Sequence, residues 1–346
     1  MKIIITGGAG MVGSHCAEYF AAQGHAVVVI DNLMRSTIFG SKDPSVEYNW
    51  RYLNDIAGVT LLKEDVRCFE VMRDIFQQER PDAVIHAAGQ PGVRFSLDDP
   101  LQDYAINATG TLNVAEALRR ANPEGILIYT STNKVYGDRV NRLPLREDPT
   151  RYAFATGNGV AEDFGVDLTG HTPYGVSKLA GDLYVQDYAY AYGLRCAVFR
   201  MSCIYGTRQF GFEDQGWLAW FSIRFFQGKP ITIYGDGKQT RDVLWVRDLV
   251  RAFEAAIHQT DLRQEVFNIG GGMDNTLSLL ELLTILREVS GRDVSVQYDD
   301  WRKFDQKVYV SDTRRLQERL GWKPSVSPRE GVRCLYQWVT ENPDLF

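Results

Sequence analysis

The stretch that decides the fold is KIIITGGAGMVG, residues 2–13. Its first half is a short run of β-branched residues of the kind that forms a buried strand. Glycines follow at once, and a helix-compatible pattern begins at about residue 11. A strand that runs through a glycine turn into a helix is the first step of a parallel sheet with crossover helices.

The same alternation continues outward from this stretch. Further β-branched runs occur at 26–31, 59–62, 83–87, 126–131 and 196–201. Helix-like stretches accompany them at roughly 11–23, 69–78, 101–121 and 173–192. We therefore predict an α/β protein built on a Rossmann-type doubly wound parallel sheet, to which residues 266–269 return as a seventh strand.

Beyond about residue 200 the composition of the sequence and the spacing of its turns change. Aromatic residues become dense at 215–226, and glycine- and aspartate-rich turns with short strands follow around 231–242 and 297–310. We predict a smaller α/β substrate-binding lobe, with residues 217–221 in a helix core or at an oligomer surface. The predicted first domain spans 1–200 plus about 241–271, and the second spans about 201–240 plus 272–346. Residues 138–172 are predicted to be a solvated loop, with a flap over the substrate as the alternative.

Composition excludes several classes of protein. With 346 residues, 45% of them apolar and 24% charged, the chain has ordinary globular usage, and its net charge of −6 disfavours a nucleic-acid-binding face. The five cysteines lack CxxC spacing and the histidines are scattered, so neither a disulfide framework nor a metal site is predicted. No segment reaches the ~18 continuous apolar residues of a membrane span, and we expect a cytoplasmic protein.

The glycine turn has the features of a dinucleotide site. Gly7 and Gly10 let the backbone approach a pyrophosphate, Gly13 lets helix and strand pack closely, and the helix N-terminus offers free N–H groups. Asp31 ends the next strand, 18 residues after Gly13. A carboxylate there can accept hydrogen bonds from a ribose diol and repels a 2′-phosphate, which favours NAD over NADP. The side chain of Arg35 has two possible roles, a contact to a 2′-phosphate or a solvated charge in a loop.

A second cluster of residues suggests acid–base chemistry. Tyr174 and Lys178 are four residues apart after Pro173, which suits the first turn of a helix and places both side chains on one face. A nearby ammonium favours the phenolate, so Tyr174 is a candidate base. Hydroxyl residues 130–132 end a predicted strand, at the sheet edge where ligands bind in α/β proteins.

Taken together, the glycine turn, Asp31, Ser131-Thr132 and the Tyr174/Lys178 pair resemble the extended short-chain dehydrogenases that act on nucleotide sugars. The resemblance implies NAD as cofactor, a nucleotide-diphosphate sugar as substrate and a homo-oligomer, a dimer or tetramer. It implies that Thr132 hydrogen-bonds the reacting sugar oxygen, that Tyr174 accepts its proton and that Lys178 also holds the nicotinamide ribose. The predicted cofactor-binding residues are Gly7, Gly10, Met11, Val12, Gly13, Asp31, Asn32, Arg35, Asp65, Val66, Ala87, Ala88, Gln90, Asn107, Thr130, Tyr174 and Lys178.

The resemblance also bears on the substrate. Sugar 4,6-dehydratases of this family have Asp and Glu after the active-site threonine, whereas this chain has Asn133 and Lys134, which favours epimerisation over water elimination. Residues 131–138 and 208–217 resemble those of the CDP-paratose 2-epimerases, a branch of the family that inverts C2. The implied substrate-binding residues are Thr132, Asn133, Cys203, Arg208, Gln209, Gln215, Gly216, Tyr234, Arg241, Arg302 and Asp305. The alternatives are a UDP-hexose 4-epimerase or a dehydratase, and a non-catalytic dinucleotide-sensing protein.

Overall fold

The computed structural model describes residues 1–39 and 45–346. These form two compact units. The first comprises Met1–Val135, His171–Arg200 and Val250–Phe267, and the second comprises Tyr136–Gly170, Met201–Leu249 and Asn268–Phe346.

The regular elements are numbered in chain order. The strands β1 to β15 are Lys2–Thr6, Ala26–Ile30, Val59–Leu62, Ala83–His86, Ile126–Thr132, Leu145–Glu147, Tyr152–Phe154, Arg195–Met201, Cys203–Tyr205, Ile231–Tyr234, Thr240–Trp245, Gln264–Ile269, Thr276–Ser278, Val296–Asp299 and Val308–Tyr309. The α-helices α1 to α13 are Met11–Ala22, Arg35–Phe39, Ser45–Asn54, Phe69–Glu79, Val93–Asp98, Pro100–Tyr104, Gly110–Ala121, Thr172–Tyr192, Trp217–Gln227, Val246–His258, Leu279–Ser290, Arg314–Leu320 and Pro328–Glu341.

The first unit is built on a seven-stranded sheet in the order β12-β8-β5-β4-β1-β2-β3. The pairs β1–β2, β1–β4, β2–β3 and β4–β5 are parallel. Ile3, Ile4 and Ile5 are all 0% exposed. Successive residues of a strand point to opposite faces, so full burial of all three means that both faces of the sheet are covered. The predicted doubly wound sheet and its seventh strand are confirmed.

The helix predicted at 101–121 is interrupted. It consists of α6, a π-helical turn at Ala105–Thr109, and α7. The hydroxyl of Thr111 donates to the carbonyl oxygen of Asn107 at 2.6 Å. Wider turns of this kind are frequent at functional sites. The spacing of apolar residues at 3.6 per turn, which predicts an α-helix, does not show where such a turn interrupts it.

The second unit is centred on β11, which pairs with β13, β15 and β9. Its core includes Leu218, Ala219 and Phe221 of α9, together with residues of α11 and α13. The aromatic stretch 217–221 therefore contributes mainly to a helix core, one of its two predicted roles.

Residues 138–172 are a solvated loop only in part. They contain the β6–β7 hairpin, and Tyr152 and Phe154 are buried. The Tyr152 N–H donates to the Lys238 carbonyl at 2.8 Å, and the Val160 N–H donates to the Val310 carbonyl at 2.8 Å. These backbone bonds explain why 136–170 lies in the second unit, whereas the sequence-based boundary put it in the first. Residues 241–249 and 268–271 lie in the second unit as well.

Across residues 1–39 and 45–346, the chain has no helix with the length and apolar character needed to cross a membrane.

Candidate active site

The predicted cofactor residues follow the carboxyl ends of adjacent strands of the first unit. The glycine turn follows β1, Asp31 and Asn32 follow β2, Asp65 and Val66 come after β3, and Ala87, Ala88 and Gln90 follow β4. Thr130 and Thr132 close β5. Because these strands are neighbours in the order β3-β2-β1-β4-β5, the predicted residues share one edge of the sheet. This edge is where dinucleotides bind in doubly wound folds.

The glycine turn is packed so tightly that side chains are excluded. Gly7 has φ +68°, and a Cβ on it would lie 2.5 Å from the backbone of Ala88. A Cβ on Gly13 would lie 2.3 Å from the carbonyl oxygen of Gly7. Helix α1 begins after Gly10, and no side chain caps its N-terminus. The N–H groups of its first turn, including those of Met11 and Val12, can therefore serve an anionic ligand, as NAD requires.

Asp31 is held in place by the turn it faces. Its carboxylate accepts the Ala9 N–H at 3.0 Å and the Leu33 N–H at 2.8 Å. Burial raises the pKa of Asp31, while these two hydrogen bonds and the charge of Arg35 act in the opposite direction. Arg35 thus acts electrostatically on Asp31, and this effect is compatible with both interpretations of Arg35 made from the sequence. Asn32 donates to Asp65 at 2.9 Å.

Asn49 is a residue at this site that the sequence did not assign. It is 0% exposed on α3, and its amide donates to the carbonyl of Ala9 at 2.9 Å. The glycine turn is therefore fixed from both sides, by Asp31 at the Ala9 N–H and by Asn49 at the Ala9 carbonyl. Only the fold brings these residues together, because 40 residues separate Asn49 from Ala9.

Asp31→Asn is expected to weaken NAD binding by about 10- to 150-fold and to narrow the preference for NAD over NADP. Losing a hydrogen bond to a charged acceptor costs ~1.5–3 kcal/mol, and a neutral amide no longer repels a 2′-phosphate. Fluorescence titration of cofactor-stripped protein with each dinucleotide measures both effects. The exposed Asp55→Asn provides a control with the same change of charge, and an unchanged NAD affinity in Asp31→Asn would refute the role.

Helix α8 presents the proposed catalytic pair. Pro173 lies in its first turn, as predicted, and Tyr174 and Lys178 are both buried. Burial raises the pKa of Tyr174 to about 12, while its interaction with the Thr132 hydroxyl acts to lower this pKa. Burial also lowers the pKa of Lys178 to about 7, against the opposing charges of Asp182 and Asp103. The structure therefore brings Thr132, Tyr174 and Lys178 together.

Asn107 connects the π-helical turn to this pair. Its side-chain oxygen accepts the Gln90 N–H at 2.8 Å, and its amide donates to the Ser177 hydroxyl at 3.1 Å. Ser177 lies on α8 immediately before Lys178. Gln90 and Asn107 thus belong to one buried polar network next to the proposed catalytic residues.

A buried ion pair between Asp182 and Arg200 lies next to β5, the strand that carries Thr132. Asp182 on α8 accepts the hydroxyl of Ser131 at 2.6 Å and the guanidinium of Arg200 at 3.0 and 3.2 Å. Asp182 is 0% exposed and Arg200 is 5% exposed. Through these contacts, Asp182 joins α8 to β5 and β8. The sequence offered one indication of this role, because Asp182 lies one helical turn after Lys178 on the same predicted helix.

Four of the predicted substrate residues of the second unit form two pairs, Arg241 with Asp305 and Arg302 with Tyr234. Arg241 donates to Asp305 at 2.5 Å. The guanidinium of Arg302 lies 4.0 Å from the ring centre of Tyr234 and 3.2 Å from Asp214.

Most of the remaining predicted substrate residues lie between β9 and the start of α9 in the chain. Cys203 is on β9, and a Cβ on Gly216 would lie 3.1 Å from the amide of Gln209. Gln215 is bonded by its backbone to Phe212. Arg208 is 6% exposed with φ +57°, an unusual conformation for arginine that a binding site can require. Asn133 follows β5 in the chain.

Metal ligands do not cluster in the described ranges, 1–39 and 45–346: no group of three or more His, Cys, Asp or Glu side chains there could hold an ion.

Comparison with known proteins agrees with this geometry. Residues 3–270 match the model of the NAD dependent epimerase/dehydratase family. The chain is 39% identical to the CDP-paratose 2-epimerase of Salmonella typhi, over 98% of this chain and 99% of that protein. The structure of UDP-glucose 4-epimerase from Thermotoga maritima with UDP-glucose is similar at a TM-score of 0.82 and 29% identity, covering 99% and 100% of the two chains. That of UDP-glucose 4-epimerase from Thermus thermophilus with NAD is similar at 0.81 and 29% identity, covering 98% and 99%. The chain belongs to the NAD dependent epimerase/dehydratase family.

Proposed function

We propose that the protein is a nucleotide-sugar epimerase that inverts C2 of a CDP-linked dideoxyhexose such as CDP-paratose, through a transient 2-keto sugar. The observation that carries the choice of substrate is the 39% identity to the CDP-paratose 2-epimerase, over nearly the whole of both chains. The observation that carries the oxidation and re-reduction is the Thr132–Tyr174–Lys178 cluster, which can serve C2 or C4.

The proposed reaction begins with proton transfer. Tyr174 accepts the proton of the C2 hydroxyl, and Thr132, whose hydroxyl acts to lower the pKa of Tyr174, orients the reacting oxygen. NAD, when bound, supplies a hydride acceptor and a positive charge that favours the phenolate. Lys178 supplies a second cation, whose charge also favours the phenolate. Tyr174 returns the proton when the ketone is reduced from its other face.

The residues that follow Thr132 favour this reaction over a dehydration. Asn133 is 8% exposed and carries an amide, which cannot act as a general acid or base near neutral pH. Lys134 occupies the next position, where the dehydratases have a carboxylate. Water elimination therefore lacks its acid–base pair.

Anchoring of the nucleotide is assigned to the second unit. We propose that Arg241 and Arg302 bind the diphosphate, because a guanidinium offers a fixed fork of donors that matches phosphate oxygens. The Arg241–Asp305 hydrogen bond and the stacking of Arg302 on Tyr234 limit the conformations of the two guanidinium groups. The sugar can then turn over without release of the nucleotide.

The decisive experiment is incubation of the purified protein with CDP-, UDP-, GDP- and dTDP-linked sugars in deuterated water, without added cofactor. We expect NMR to show inversion at C2 of a CDP-sugar without deuterium incorporation, because the hydride returns from tightly bound NAD. Deuterium at C2, or NAD consumed in proportion to product, would refute the mechanism.

A UDP-hexose 4-epimerase is the second candidate. It is favoured by the similarity to the two UDP-glucose 4-epimerase structures, since the same threonine, tyrosine and lysine can serve oxidation at C4. Inversion at C4 of a UDP-sugar in the same assay would establish it. Absence of turnover with every sugar would instead favour a dinucleotide-sensing protein.

A further inference from the structure

A buried carboxylate next to the proposed catalytic residues has no part in the mechanism above. Asp103 lies on α6, four residues before Asn107, and is 0% exposed. Helix α6 packs against α8, which carries Tyr174 and Lys178. Burying a carboxylate is costly unless partners compensate for the lost water, so its partners indicate what it does.

The hydrogen-bond partners of Asp103 are neutral amides of the cofactor edge. Gln90 Nε2 and Asn107 Nδ2 both donate to its Oδ1, at 2.8 and 3.1 Å. The second oxygen, Oδ2, is buried without a hydrogen-bond partner. Asp103 therefore fixes the orientation of Gln90 and Asn107, but these amides do not cancel its charge.

The cation that faces Asp103 is Lys178. Lys178 Nζ and Asn107 Oδ1 lie 3.7 and 3.1 Å from the point where a Cβ on Gly89 would sit, so the ammonium lies close to the side chain of Asn107, which donates to Asp103. Burial raises the pKa of Asp103, and the charge of Lys178 acts to lower it. The charge of Asp103 acts in turn to raise the pKa of Lys178, which burial lowers. Asp182 also acts on Lys178, but it is already paired with Arg200.

The other titratable groups that face Lys178 carry no charge near neutral pH. Burial lowers the pKa of His86, at the end of β4, to about 3, so its ring is neutral. Burial raises the pKa of Tyr129 on β5, whose ring lies 4.3 Å from Lys178 Nζ. Asp182 acts more strongly than Asp103 on the pKa of Lys178, but Asp182 is also paired with Arg200. Asp103 therefore contributes a second counter-charge to Lys178.

We propose that Asp103 is a positioning residue of the epimerisation, whose carboxylate balances the charge of Lys178 and holds Gln90 and Asn107 in place. This inference rests on the proposed function. Asp103 also acts to raise the pKa of Tyr174, so removal of its charge affects both members of the catalytic pair.

The test is the pH profile of kcat for the holoenzyme and its Asp103→Asn variant. Without the negative charge the Tyr174 phenolate forms more easily and the Lys178 ammonium is lost more easily. Both limbs of the profile should therefore move to lower pH, by on the order of one pH unit. Asp103→Glu keeps the charge and should leave both limbs unmoved. Asp98→Asn, an exposed carboxylate on α5, is the matched control.

A second measurement separates this inference from the proposed function. Ultraviolet titration of tyrosinate in the holoenzyme, corrected with Tyr174→Phe, follows Tyr174 without any turnover, and Asp103→Asn should lower its apparent pKa. If no sugar is epimerised, the proposed function fails, but this titration still decides the role of Asp103. A fall in kcat with unmoved limbs and an unmoved tyrosinate transition would show a merely structural role, as would shifted limbs in Asp103→Glu.

Discussion

Replacing Tyr174 with phenylalanine is expected to lower kcat for epimerisation by about 10³-fold, within the ~10²–10⁴ range that a positioned acid or base contributes. The substitution removes the hydroxyl that is proposed to transfer the proton and keeps the ring that fills the buried site on α8. NMR of the sugar product measures the rate, and release of NAD on denaturation reports whether the cofactor is still bound.

The control for this substitution lies on the same helix. Tyr190 is 82% exposed on α8, and Tyr190→Phe should leave kcat unchanged. If Tyr174→Phe retained wild-type kcat, proton transfer would have to be assigned to another group. A variant that lost its NAD would instead reveal a role in cofactor binding.

Asp182→Ala is expected to destabilise the first unit by ~3–5 kcal/mol, the cost of breaking a buried ion pair by removing one partner. It leaves the Arg200 guanidinium, which is 5% exposed, without its carboxylate, and the hydroxyl of Ser131 without its acceptor. The loss should appear as a lower urea midpoint for the change in circular dichroism.

Asp187→Ala is the matched control, since Asp187 is an exposed carboxylate on the same helix. Surface changes of this kind are usually within ~0.5 kcal/mol of neutral. Equal midpoints for Asp182→Ala and Asp187→Ala would show that Asp182 contributes no net stability. The comparison therefore separates the buried ion pair from a general effect of removing charge from α8.

The sheet of the first unit could be read from the sequence because strand, glycine turn and helix are local patterns. All seven predicted strands are present, and Tyr174 and Lys178 lie on one buried face because helical spacing determines that arrangement. Partners far apart in the sequence could not be predicted in this way. Asp182 meets Ser131 across 51 residues, and Asn49 meets Ala9 across 40.

Two further features escaped local patterns for different reasons. The segment 138–172 is rich in glycine and acidic residues, but its backbone bonds to β-structure of the second unit, which no local signal encodes. Asp103 looks like a surface residue of a polar helix, and its burial depends on how α6 packs against α8. In both cases tertiary contacts override the local preference.

The π-helical turn at Ala105–Thr109 shifts the phase of the helix that surrounds it. One residue corresponds to about 100° of rotation in a regular α-helix. An extra residue in the turn therefore rotates the side chains before it by about this angle relative to the side chains after it. Deleting a single residue there would restore a continuous helix, yet it would rotate Asp103 roughly a quarter of a circle away from its present direction.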